Sequence, residues 1–426
     1  MNKNIKLAVA GAVLALSASA ANAGIIIPAG EWTLDVNGNV NGYANFSKVK
    51  GTNNIGGGIV SARQTHQDSN QTITTGLLPA WLGFTGKTRQ NDLDVEFTIS
   101  IQPGIAANDI SGDGAFVDGT NSSNGAKTLN RQTYLSFGDK SWGSIKIGKD
   151  LGVFASDAIL NDMTLLGVGS GVGGNGPGTN TTNGGIGTGY IYAAWKGQIA
   201  YTTPNFNGFQ ATVAVTNPNQ PWGTSTAVAD GVYTQTVVNQ DRFGLEGKAS
   251  YSFAGEALSG KLWVSGASYN VTPLATSNNN YTASVADLGL NLNTGNFGLT
   301  GYYYKGEGVG TTLLGNEGVS DSGAKRDSDG GYIQGTYKLP IGTKIGLAYG
   351  ISKLDRVNDS DTTSSASGAG ANYALVKENN RITIGAYHPI TKHLNLVAEY
   401  NDIEAKTHTG LSNKQEIGSL GAILFF

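Results

Sequence analysis

Three features of the sequence predict an all-β fold, a transmembrane antiparallel up-and-down barrel of about sixteen strands. Apolar and polar residues alternate from one end of the chain to the other, as they do in a strand with two unlike faces. Connections are short and long in turn, which describes a meander with long extracellular loops and short periplasmic turns. Charged residues make up only 14%, glycine supplies 63 of 426 positions and cysteine is absent. A soluble domain carries about 25% charged residues.

Taken in order, the chain begins with a segment read as a secretory signal peptide over residues 1–23. Lys3 and Lys6 precede the apolar and small-residue stretch Leu7–Ala20, and Ala21-Asn22-Ala23 supplies the cleavage site. That stretch is too short to span a hydrocarbon core of about 30 Å comfortably and has no stop-transfer flank. The remaining residues, 24–426, form one barrel domain, since no linker divides them. Removing the two lysines takes the net charge from -3 to about -5. This mildly acidic balance argues against nucleic acid as a partner. An exported chain without cysteine also has to be stable without disulfides.

The strands follow. In Trp32–Phe46 the odd positions Thr33, Asp35, Asn37, Asn39, Asn41 and Asn45 are polar, while Leu34, Val36, Val40, Ala44 and Phe46 are apolar. In Asp92–Gln102 the parity flips: Asp92, Asp94 and Glu96 face one way, and Leu93, Val95 and Phe97 the other. Ile345, Leu347, Tyr349 and Ile351 alternate with small residues, as do Leu394, Leu396, Ala398 and Tyr400 with their neighbours. These runs reach about ten residues, where soluble strands average 5–6 and a tilted membrane strand needs about 9–11. The polar face stays polar along whole strands, unlike the half-buried strand of a soluble sandwich.

Short connections carry turn residues, among them Gly138–Ser141, Asn205–Gly208, Pro340–Thr343 and Pro389–His393. Between them lie long Gly/Asn/Ser/Thr stretches near 50–76, 103–129, 152–188, 217–240, 271–280, 307–327, 355–370 and 404–413. Hydrocarbon offers no partner to a free N–H or C=O, so the sheet has to close and the first strand has to pair with the last. The chain ends in Gly418–Phe426, with Leu420, Ala422, Leu424 and Phe426 sharing the parity expected to face lipid.

The hairpin Arg131–Gly138 and Trp142–Lys149 resembles the paired strands of the general trimeric porins of Gram-negative bacteria. Together with the alternation, the signal segment and the terminal phenylalanine, the resemblance covers the whole mature chain. It implies a sixteen-stranded outer-membrane barrel, a homotrimer, and a loop after this hairpin that folds into the lumen. It also implies that Phe426 acts as an assembly signal. Two features differ from the family pattern: the Pro-Glu-Phe-Gly type of loop sequence is absent, and the first strand carries no arginine.

A pore works through the residues that narrow it. The infolded loop is expected over about 150–188, with Asp150, Asp157 and Asp162 as its acidic residues. The wall opposite is expected to supply bases. Lys87 and Arg89 share the inward parity of Thr85, Lys146 stands between outward Ile145 and Ile147, and Arg131 has ambiguous parity. Asp35, Asp92, Asp94 and Glu96 would add negative charge to the lumen. With the acidic balance, the expectation is a weak preference for cations.

Other motifs are read as structural. The Gly-x-Gly-x-x-Gly run within Gly167–Gly178 lacks the strand-to-helix context of a phosphate cradle. Asp109, Ser111 and Asp113 match the start of a calcium loop, but Thr120 stands where its bidentate glutamate belongs. The four histidines have no nucleophile or acid in register, so no enzyme is expected. Neither a cofactor nor a metal is expected. The function read from the sequence is passive diffusion of small hydrophilic solutes and ions across an outer membrane, among lipid and lipopolysaccharide. The alternatives are a substrate-selective channel, footed on Tyr302-Tyr303-Tyr304 and Trp195, and a structural or adhesive barrel acting through its surface loops.

Overall fold

The computed structural model describes residues 24–63, 68–105, 128–171, 181–217, 226–227, 233–234, 242–271, 280–320, 323–364 and 373–426. Sixteen long strands build the barrel. The first half comprises β1 (Trp32–Lys50), β2 (Trp81–Gln90), β3 (Leu93–Gln102), β4 (Leu129–Asp139), β5 (Gly143–Leu151), β6 (Trp195–Thr202), β7 (Phe209–Thr216) and β8 (Gly244–Ala254). The second half comprises β9 (Ser259–Val271), β10 (Tyr281–Thr294), β11 (Phe297–Glu307), β12 (Asp327–Lys338), β13 (Lys344–Leu354), β14 (Tyr373–Pro389), β15 (Leu394–Thr407) and β16 (Ser412–Phe425).

Each strand pairs antiparallel with the next, and β16 pairs with β1 from Asn39↔Phe425 to Lys50↔Lys414. The backbones of Gly38 and Phe426 add two hydrogen bonds, of 2.8 and 3.0 Å. Below that point Ile25–Ala29 takes over the same edge of β1, from Ile25↔Val36 to Ala29↔Trp32. The N-terminal segment therefore completes the stave that β16 leaves short. The other edge of β1 is shared in the same way, by β2 opposite residues 33–39 and by the short strand Ser69–Thr74 opposite residues 43–48. Between them these partners cover most of both edges of β1, as a strand in hydrocarbon requires.

The outward face is apolar, as the alternation requires: Val40, Phe46, Leu288, Leu347 and Leu420 are exposed. Asn39, Asn41 and Asn45 point inward and are buried. Two expectations need correction. The stretch 404–413 is not a long loop, because β15 and β16 run to within four residues of each other. Its polar residues fooled the composition reading: the even positions carry charges on the outer face, and inward Asn413 Nδ2 donates to the Asn53 carbonyl at 2.8 Å. Nor is the inward face uniformly polar. Ile403, Ala405, Ile417, Ile423 and Phe425 turn inward and are buried with Val60 and Met163, because chain segments fold into the barrel and cover them.

The signal segment 1–23, the calcium-loop candidates Asp109, Ser111 and Asp113, and most of the glycine run lie outside the described residues. Closure can be tested at its tightest point. A Cβ on Gly38 would stand 2.2 Å from the Trp81 carbonyl oxygen and 2.8 Å from the Phe426 ring. Gly38→Val and deletion of Phe426 are both expected to lower the yield of folded barrel, read by the heat-dependent shift in electrophoretic mobility. Wild-type yield in both would show that closure does not depend on this contact.

Candidate functional site

After β5 the chain leaves the wall, and residues 152–171 and 181–194 run through the interior before β6 resumes. Gly152 N donates to the Ala194 carbonyl at 2.8 Å, closing the neck of this excursion. The segment contains the short helix α1 (Ser156–Asn161) and a 3-10 turn (Met163–Leu166). Its apolar residues Phe154, Ala158, Ile159 and Tyr190 are buried against the inward rings of Trp263, Tyr269, Tyr302 and Tyr332. These rings belong to β9, β11 and β12. Tyr302 and Tyr304 do point inward and Tyr303 outward, but the inward pair is covered by the segment rather than offered to a solute.

An irregular segment inside a barrel has no ladder for its N–H groups, and a buried N–H needs a partner. Carboxylates supply them. Glu246 on β8 accepts from Val153 N at 2.5 Å and Phe154 N at 2.9 Å, and pairs with Lys196 Nζ at 2.6 Å. Tyr269 OH donates to the same carboxylate. Glu399 on β15 accepts from Val168 N and Gly169 N, both at 2.9 Å, and from Tyr387 OH at 2.7 Å. Gly167 lies so close to Glu399 that a Cβ would meet its Oε1 at 1.9 Å, which explains a glycine there. Asp162 caps the 3-10 turn through Thr164 N at 2.9 Å and accepts from Gly185 N at 2.9 Å and Tyr190 OH at 2.8 Å. Arg381 stands 3.7 Å away from it.

Two further segments fill the interior toward the loop end. Residues 51–63 bond to β14 through Ile59 N and Asn379 Oδ1 at 3.0 Å. Residues 308–320 and 323–326 meet the infolded segment through Tyr192 N and the Thr312 carbonyl at 2.9 Å. Buried Arg326 holds the latter in place, paired with Asp361 at 2.6 Å and Glu317 at 3.3 Å. Among the described residues the infolded segment leans on β1, β6 and β8–β15, and the inner face of β2–β5 stands opposite.

That face carries a continuous chain of polar groups. Lys87 lies 3.4 Å from Glu96, and Tyr134 OH donates to Glu96 at 3.0 Å. Lys146 sits over the Tyr134 ring, 4.7 Å from its centroid, and pairs with Asp150. Gln132 Nε2 donates to Asp150 at 2.9 Å, and Arg131 Nη1 donates to Gln132 Oε1 at 2.6 Å. The guanidinium of Arg131 lies over the rings of Trp81, at 4.5 Å, and Trp195, at 4.3 Å. A bulge between Ser100 and Ile101 shifts the register of β4 beside Arg131. The sequence gives no sign of it, and the parity of Arg131 was ambiguous for that reason.

The structure thus brings Arg131, Lys146 and Asp150 together and joins Lys87 and Glu96 to them. Asp150, expected on the infolded segment facing these bases, belongs instead to β5 and stands beside them, because the strand runs on to Leu151 before the chain leaves the wall. Asp157 lies across the interior, paired with Lys248 at 2.9 Å and with Lys261. Burial pushes the Asp157 carboxyl up, but the two lysines outweigh it and hold it below the usual aspartate range. Asp162 is a buried anchor of the infolded segment rather than a lining residue. Arg89 is at the turn end, bonded to Asp94 at 2.7 Å and Asp139 at 2.9 Å, away from the infolded segment. Asp92 is a fully exposed turn residue with φ of 64°, so it adds nothing to the inner wall. Asp35 is half-buried on the lower part of β1, opposite Thr85.

Sequence reasoning missed Glu246, Lys248, Lys261, Arg381 and Glu399. Parity held the signal: Glu246 and Lys248 flank Gly247 on the inward positions, and Glu399 stands between outward Ala398 and Tyr400. Alanine at Glu246 would leave Lys196 buried without its carboxylate. E246A is expected to lose about 3–5 kcal/mol, the usual cost of breaking a buried pair, measured as a fall in the unfolding midpoint. An unchanged midpoint would remove Glu246 as an anchor. The depressed Asp157 carboxyl contributes stability above the ordinary aspartate range, lost only as pH falls through its lower folded value. Single-channel conductance is therefore expected to hold steady in mildly acid solution and to change in strongly acid solution.

Comparison with known proteins fits this architecture. A family model described as Gram-negative porin matches residues 10–408. No curated protein matches the sequence. Among solved structures the chain is similar to the outer membrane channel DcaP of Acinetobacter baumannii, with 20% identity, TM-score 0.63, and coverage of 95% of this chain and 100% of that one. It is also similar to the anion-selective porin from Comamonas acidovorans, with 15% identity, TM-score 0.57 and coverage of 93% and 100%. OmpF of Salmonella typhi, solved in complex with daunomycin, gives 16%, 0.54, and coverage of 94% and 100%. At these identities the structures speak for the fold, and the family match carries the assignment: this chain belongs to the Gram-negative porins.

Proposed function

We propose that the protein is a passive diffusion channel for small hydrophilic solutes and ions across the outer membrane. The observation that carries this reading is the charged inner face of β2–β5, standing opposite an infolded segment anchored to the rest of the wall. The constriction would be formed by Lys146, Asp150 and Arg131 on one side and by Asp157, Lys248 and Lys261 on the other. Lys87 would line the path toward the turn end. The working form is a homotrimer, exported with the 1–23 segment and assembled through the Phe426 strand. Lipopolysaccharide would contact the outer face above the apolar band, where the pairs Lys50–Glu416 and Lys406–Glu378 continue the lipid-facing parity of β1, β14, β15 and β16. The reading involves neither catalysis nor a cofactor.

The polarity of the wall favours anions over the cations expected from overall charge. In each pair the base is the more exposed member. Lys146 is 35% exposed against 12% for Asp150, and Lys248 and Lys261 are 22% and 17% exposed against 5% for Asp157. A solute would meet ammonium groups first, with their carboxylates behind them. In a narrow passage with low-dielectric walls such a field is screened less than at an open surface.

A substrate-selective channel is the second reading, favoured by the unbroken polar chain from Lys87 to Arg131. The inward tyrosines of β11 give it no support, because they are covered. Planar-bilayer recording of the purified protein separates these cases. Stepwise ohmic openings are expected, with a reversal potential of anionic sign in a KCl gradient; silence at high protein concentration would favour an adhesive or structural barrel. The double variant Lys248→Gln/Lys261→Gln uncovers Asp157 and is expected to move the reversal potential toward cations.

A further inference from the structure

From the unpaired guanidinium of Arg131 we infer that Trp81, Arg131 and Trp195 form a binding station for small organic carboxylates. The inference rests on the channel reading above and names a class of solute for it. Lys87, Lys146, Lys248 and Lys261 each have a protein carboxylate within 4.0 Å, with which a solute would have to compete. Among the described residues Arg131 has none within that range. Its Cζ lies over two indole rings, 4.5 and 4.3 Å from their centroids. A cation–π contact of this kind engages the charge and consumes no N–H.

The edge of the group is mostly uncommitted. Nη1 spends one hydrogen on Gln132 Oε1 at 2.6 Å, and Nε is buried without a partner. Nη2 has no hydrogen bond among the described residues. The Gln132 amide in turn is held by Asp150 at 2.9 Å, so the nearest carboxylate is occupied by the amide and by Lys146. The result is a planar donor fork held beside two indole rings, with Nε already withdrawn from water. A carboxylate matches two parallel N–H groups; chloride can use them only as a point charge. The position suits a station on the path. Trp81 and Arg131 belong to the wall, and Trp195 is the residue at which the infolded segment rejoins it.

The experiment is block of chloride current in planar bilayers by gluconate, with glucose as a neutral probe of similar size. In the wild-type channel gluconate is expected to block at lower concentration than glucose. Arg131→Gln is expected to raise the half-blocking concentration of gluconate about tenfold, the equivalent of about 1.4 kcal/mol or one charge-assisted hydrogen bond, with glucose unaffected. Arg131→Lys keeps the charge, loses the fork and is expected to lose most of the gluconate effect. Mobility of the unheated protein on gels reports that each variant is a folded barrel. Equal block by gluconate and glucose in a conducting wild-type channel would overturn the station and leave the channel standing, as would an R131K channel blocked like wild type. A wild type that does not conduct would remove both.

Discussion

The constraint on which everything else depends is that a backbone N–H or C=O facing hydrocarbon has no solvent to bond. Each such group left open costs several kcal/mol, so a sheet in a membrane cannot have an edge. The seam is where this requirement is hardest to meet, because it joins residues nearly four hundred positions apart. Here it is met by three pieces of chain. β16 pairs with the upper part of β1, Gly38 and Phe426 exchange two bonds at its end, and Ile25–Ala29 continues the line below. The two terminal rings divide the work at this point. Phe425 is buried inside against Trp81, while Phe426 follows the lipid-facing parity beside Gly38.

A closed wall creates a second problem inside it. Any segment that folds into the barrel brings its own unpaired backbone, and the sheet has already used its N–H and C=O groups. Side chains on the inward parity solve this. Glu246, Glu399 and Asp162 each accept from backbone N–H groups of the infolded residues, and Gln334 accepts from Met163 N at 2.9 Å and donates to the Asn161 carbonyl at 2.6 Å. Hydrogen bonds to charged groups contribute about 1.5–3 kcal/mol each, whereas an exposed ion pair contributes about 0–1. The buried carboxylates, not the exposed pairs of the rim, therefore hold the segment. Because they stand on β8 and β15 and on the segment itself, the interior is filled on one side and the path is displaced toward β2–β5.

The same geometry decides the sign of the remaining wall. Carboxylates used as acceptors, or backed against lysines, are withdrawn from water, and the flexible ammonium heads reach past them. A chain of net charge -3 can in this way present a basic surface to a solute. Overall charge counts groups, while the field in a narrow passage depends on which member of each pair stands in front.

Much of this was legible in the residues. Period-two alternation set the strands and their faces, from Asn39, Asn41 and Asn45 inward to Leu420 and Leu424 outward, because a side chain on a strand has only two directions. The short turns and the need for closure followed from composition and solvent. Lys146, Lys87 and Glu96 could be placed on the inner wall by parity alone, whereas Asp150, expected on the infolded segment, stands in β5 on that same wall. The exceptions came where local pattern stops determining position: Arg131, redirected beside a bulge; 404–413, polar in composition but extended; and Ile403 and Ile417, apolar yet inward. Which residues meet across the barrel, such as Glu246 with Val153 or Asp157 with Lys261, depends on how the excursion between β5 and β6 packs against the wall. Alternation is a property of neighbours along the chain, so the sequence determined the wall. The contents of the wall, and the sign of the path beside them, were decided by tertiary contacts, many of them between residues about ninety or more positions apart.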